Sequence, residues 1–106
     1  MKADQSLEKY KKAAAWMLLL KNVFAKTFVA VDGILTRQET RSFDRFQEGL
    51  GKVSNLLDSY MHEYHTEEAA WNVFYGRLNP DGYDEGTGKE VREMAKSYMK
   101  DLFEEN

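Results

Sequence analysis

The side chains in this sequence best suited to chemistry are Asp58, His62 and His65. On a helix turning about 100° per residue, they fall within about 60° of arc. Imidazole nitrogens and a carboxylate one turn apart have the spacing of a zinc-type site. The same arc lies opposite the apolar positions of its segment, no fourth ligand stands nearby in sequence, and the Glu-x-x-His pairs of di-iron bundles are missing. A solvated polar face is therefore the alternative to a metal site, and no cofactor is expected.

Lys21 is the second chemical candidate, because it sits among apolar residues where an unpaired ammonium would be costly to bury. Such a lysine either works with a lowered pKa or runs its stem along apolar surface to reach water or a carboxylate. Nothing in the sequence supplies the rest of a catalytic apparatus. It contains no Gly-x-Ser-x-Gly elbow, no phosphate-cradling glycine loop ending in Lys-Ser/Thr, and no His-Glu-x-x-His. Gly82, Gly86 and Gly88 follow no strand, and Asp84 and Glu85 beside them would repel phosphate. The expected class is non-enzymatic.

The elements that must carry these residues are helices. One proline occurs in 106 residues, and apolar residues recur at steps of three and four. The spacing predicts a first helix over about 4–31, ended by Asp32-Gly33, and a second over about 37–65, opened by the capping box Thr36-x-x-Glu39. A short helix is expected over 67–78 and a last one over 88–103, after the turn Asn79-Pro80-Asp81-Gly82. The expected fold is all-α: one small helical bundle spanning 1–106, with two long antiparallel helices and two shorter ones.

The first helix carries Leu7, Tyr10, Ala14, Met17, Phe24, Phe28 and Val31 on one stripe, while Trp16, Leu19, Leu20 and Val23 fall outside it. Its middle is apolar nearly all round, so it should be covered on more than one side. The second helix carries Phe43, Phe46, Leu50, Val53, Leu57, Tyr60 and Tyr64 as a coiled-coil-like seam. Gly49 and Gly51 interrupt it at a helix cost of roughly 1 kcal/mol each, implying a bend or the close approach of another backbone.

Phe28 to Glu39 resembles the second half of an EF-hand loop, and its Asp32-Gly33 junction looks like that of TerB-like helical domains. Phe28 and Ala30 stand where an EF-hand has its early calcium ligands, so the residues themselves read as a helix end, a left-handed glycine and a capped new helix.

Composition narrows the function further. The hydrophobic fraction is 42% and the charged fraction 31%, ordinary for a folded domain, and the absence of cysteine removes disulfides and thiolate sites and suits a reducing, cytoplasmic setting. The first apolar run, Ala13 to Leu20, ends at Lys21 and Asn22, too short by this reading for a membrane span, so no membrane is expected as partner, nor a cleaved signal peptide. Net charge is -3 and runs from basic to acidic along the chain: six lysines face three acids before position 36, whereas acids predominate beyond position 66. That gradient suits electrostatic pairing between helices or subunits. Lys9, Lys11 and Lys12 could touch the phosphates of a nucleic acid, or else form a solvated face.

Fourteen aromatic residues are many for this length. Trp71, Phe74, Tyr75 and Tyr83 gather around the expected short helix and its loop, with Trp71 and Phe74 as core candidates. Trp71, Tyr75, Arg77, Tyr83, Asp84 and Glu85 form the expected partner-binding set. Trp16, Leu19, Leu20, Val23, Gly49 and Gly51 are the expected contacts of a homo-oligomer, with a dimer favoured. Taken together, these features suggest an adaptor, assembly subunit or inhibitor that binds another protein. Nucleic-acid or nucleotide association and metal binding stand as alternatives.

Overall fold

The structure is a computed structural model, and it describes residues 3–67, 70, 73–74 and 87–104. Among these residues there are three α-helices: α1 Leu7–Val31, α2 Arg41–Tyr64 and α3 Thr87–Glu104. The all-helical expectation is met, while the count of two long and two shorter helices is not. Of the expected helix over 67–78, Ala70 lies in a 3₁₀ turn, Val73 and Phe74 lie in a turn, and most other positions are outside the described residues.

Local chemistry accounts for the helix ends. Ser6 caps α1 by accepting the Lys9 amide at 3.2 Å, so the helix starts three residues later than Asp4 suggested. At the other end the backbone leaves through Gly33 at φ 86, a conformation that a side chain with a Cβ resists. The Thr36–Glu39 capping box forms in both directions: the Thr36 amide donates to Glu39 Oε1 at 2.8 Å, and the Glu39 amide donates to Thr36 Oγ1 at 3.2 Å. It closes a separate turn over 37–40, however, and α2 begins only at Arg41 behind Thr40, whose side chain makes no cap bond. The Thr36 backbone amide first, and the Thr36 side chain next, hold the Glu39 carboxyl below its ordinary range.

α1 is the central rod. Phe24 lies 5.4 Å from Phe43 and 5.1 Å from Phe46 between ring centres, while Tyr10 at the other end meets His65 edge-on at 5.9 Å, so α1 and α2 run antiparallel. Lys11 pairs with Glu90 at 3.1 Å and Trp16 stacks on Tyr98 at 4.8 Å, so α3 runs parallel to α1. α2 and α3 pack on α1 and only marginally on each other. The expectation that the middle of α1 is covered on more than one side holds.

The core gathers Tyr10, Ala14, Ala15 and Leu19 of α1 with Met61, Ala70, Val73, Val91 and Ala95, and Phe74 packs against it. Ala14 and Ala15 let neighbouring elements approach closely. Burial pushes the Tyr10 hydroxyl above its ordinary pKa, and that hydroxyl donates to the Ala3 carbonyl.

On α2 the buried residues are Ser54 and Met61, whereas Phe46, Val53 and Tyr64 of the expected seam are exposed. The apolar arc of α2 is wider than one neighbouring helix can cover: Phe46 stacks on Phe24 yet stays half in solvent, and Val53 and Tyr64 stay exposed. α2 is continuous through Gly49 and Gly51, and a Cβ added at either would meet nothing within 4 Å. Among the described residues, therefore, no other element's backbone closes on either glycine.

The apolar run that ends at Lys21 understates the hydropathy of α1 as a whole. α1 is long and apolar enough to cross a membrane by length and composition, with mean hydropathy 1.4 over its most apolar 18 residues. An uninterrupted apolar run stops at Lys21, but Lys21 and Lys26 only lower the average of the longer stretch.

Candidate functional site

The metal-type cluster does not assemble. His62 Nε2 lies 3.2 Å from Asp58 Oδ1, one turn away on α2, as the spacing predicts. The helix ends at Tyr64, and His65 swings out with φ -133 and ψ 111. Its Nε2–H donates to the Gln5 carbonyl at 2.7 Å, and its Nδ1 lies 3.3 Å from Glu67 Oε1. Both ring nitrogens thus face oxygen acceptors, and the second contact is a hydrogen bond only when the ring carries both protons. Glu67 is held below the ordinary carboxylate range, by its own backbone amide first and by His65 next. His65 therefore clasps the end of α2 to the segment before α1 instead of joining His62. Among the described residues no group of three His, Asp or Glu side chains could hold a metal ion. A helical wheel continued one residue beyond the real helix end is the reason the sequence suggested otherwise.

Lys21 lines an open groove between α1 and α2 of about 590 Å³, with Phe24, Asp44, Gln47 and Gly51 among its neighbours. It is half-exposed rather than buried, its stem on apolar surface. Of the three lysines placed together for phosphate contact, Lys11 is taken up by Glu90 with its side chain 13% exposed, and only Lys9 and Lys12 face solvent. The pairing joins the basic head of α1 to an acid in the first turn of α3, a helix whose four bases and four acids balance.

Trp71, Tyr75, Arg77, Tyr83, Asp84 and Glu85, the expected partner-binding set, lie outside the described residues. Of the expected oligomer contacts, Leu19 belongs to the chain's own core at 7% exposure, because it points at α3. Trp16, Leu20 and Val23 are exposed, as is Gly49, while Gly51 is half-exposed.

Two apolar features carry no motif signal and become visible only after folding. The C-terminal halves of α1 and α3 leave a groove of about 580 Å³ lined by Leu18, Val23, Ala30, Ala95 and Met99, with Lys26 and Lys96 among its polar neighbours. On α2, Phe46, Val53 and Leu56 stand exposed along one side. Large apolar side chains exposed at this density form the kind of surface that another apolar surface can cover. No protein-family model matches the chain, nor does any curated protein or solved structure.

Proposed function

We propose that this chain is a non-enzymatic helical protein that acts by binding protein, in the manner of an adaptor, assembly subunit or inhibitor, and that it works in the cytoplasm. The observation that carries this reading is the apolar surface left by folding. Trp16, Leu20, Val23, Phe46, Val53 and Leu56 are all between 40% and 53% exposed.

A soluble setting is supported by the flanks of α1. The amphipathic helices α2 and α3 lie along it, Lys11 is bound to Glu90, and Lys21 sits near its centre. Inserting α1 into a bilayer would strip these contacts and place Lys21 near the midplane, at about 2.5–3.5 kcal/mol on insertion scales.

Photo-crosslinking tests the reading. A photoreactive phenylalanine at Phe46 or Trp16 is expected to capture protein, its own copy included, in extracts of the cells that make the chain. Adducts confined to lipid or nucleic acid, or no adducts at all, would overturn it.

A further inference from the structure

The exposed side chains of α1 and α2 form one surface, and the contacts around α1 show why. At about 100° per residue, the α1 residues that meet α2 (Tyr10, Phe24, Phe28) and those near α3 (Lys11, Leu19, Lys26) point in roughly opposite directions. The three helices therefore lie side by side as a layer with two faces. On one face, Lys21, Ala25 and Val29 of α1 line a groove with Asp44, Gln47 and Gly51 of α2. The other face carries Leu20 of α1 and Gly49, Val53 and Leu56 of α2 in the open. Trp16 of α1 stands at its edge, where it stacks on Tyr98, and Val23 and Thr27 of α1 also line the groove with α3. Phe46 of α2 also stacks on Phe24, and Tyr60 of α2 meets the core.

Both sets follow alternating steps of three and four residues, the repeat of a helix-packing seam. Neither set contains a charged residue. At its middle is Gly49, with open space where a Cβ would stand, so a facing helix can approach closely there.

We infer that this face is the contact surface for a second copy of the same chain, joined face to face about a two-fold axis. This rests on the protein-binding reading above and names its partner. An uncharged seam has no means of selecting a partner of complementary charge, whereas an identical seam matches it in polarity and repeat, as an isologous contact requires. The area agrees. Six large side chains about half exposed amount to roughly 500 Å² of apolar surface per protomer. A standard interface takes about 800 Å² from each partner, of which about 65% is apolar in homodimers.

Sedimentation equilibrium across a wide concentration range tests the inference, using the wild type, the double variant Leu20→Asp/Leu56→Asp and the opposite-face control Val29→Asp. The wild type and the control are expected to be dimers, with the double variant weakened by about thirtyfold or more. Circular dichroism confirms that each variant remains helical. Should the double variant unfold, amide exchange of the wild type decides: protection over 16–27 and 46–60 is to rise with protein concentration. A dimer unaffected by the double substitution, or exchange at those segments independent of concentration, overturns this face while leaving protein binding standing. A wild type that is monomeric throughout overturns the second copy as partner, and capture of a different protein at Phe46 then keeps the broader reading. Binding of the face to neutral phosphatidylcholine vesicles without self-association overturns the inference as well.

Discussion

Replacing Gly51 by alanine is expected to stabilise the chain. Gly51 lies in the interior of α2, its φ is not positive, and a Cβ built there meets nothing within 4 Å. The substitution therefore adds no clash, and it removes the entropic handicap of glycine in both the folded helix and the unfolded chain. That handicap is about 1 kcal/mol relative to alanine, with much of it acting through the unfolded state. For a domain of this size the gain corresponds to a rise in Tm of roughly 4–6 °C. Urea unfolding followed by far-ultraviolet circular dichroism should show a higher midpoint with an unchanged m-value. Gly49→Ala supplies the comparison. The same local gain applies, but Gly49 sits on the face proposed to meet a second copy, so its effect should vary with protein concentration while that of Gly51→Ala should not. A lower midpoint for Gly51→Ala would refute the reasoning, since it would require a neighbour packed against that position.

Three further outcomes follow from particular contacts. Ser54 is 1% exposed and its hydroxyl has no hydrogen-bond partner, so Ser54→Ala should raise stability by about 1 kcal/mol in the same assay; a loss of stability would show that the hydroxyl is bonded. The Glu39 carboxyl is depressed by Thr36, so its stabilising contribution is complete above the ordinary value of 4.5 and is lost as pH falls through the lower, folded value. Carbon-detected NMR titration should find Glu39 below 4.5 in the wild type and nearer to it in Thr36→Ala; equal values would sink this account. His65→Ala removes the clasp to Gln5 and the edge contact with Tyr10 and should cost about 1–2 kcal/mol. Exposed His62→Ala should stay within about 0.5 kcal/mol of wild type, and equal effects in the two variants would contradict the separate roles drawn here.

The sequence was sufficient for what depends on neighbours along the chain. The three α-helices, the left-handed exit at Gly33, the Thr36–Glu39 box and the Asp58–His62 pair all arise from interactions three or four residues apart. It was insufficient even locally where two local signals compete: the capping box closed its own turn, and α2 started four residues later than 37. His65 was misplaced because the helix ended one residue before it.

Tertiary structure alone decided which apolar residues are inside. α2 carries an arc wide enough for more than one partner, and periodicity describes such an arc without saying which side α1 will cover. Folding buried Met61 and Ser54 and left Val53 and Leu56 outside, drew Lys11 onto Glu90 across 79 positions, and turned Leu19 inward while Trp16 and Leu20 stayed exposed. These outcomes depend on side chains far apart in sequence competing for the same limited surface. Helix propensity and capping act within a turn or two, whereas the choice of buried face is made only when whole helices meet.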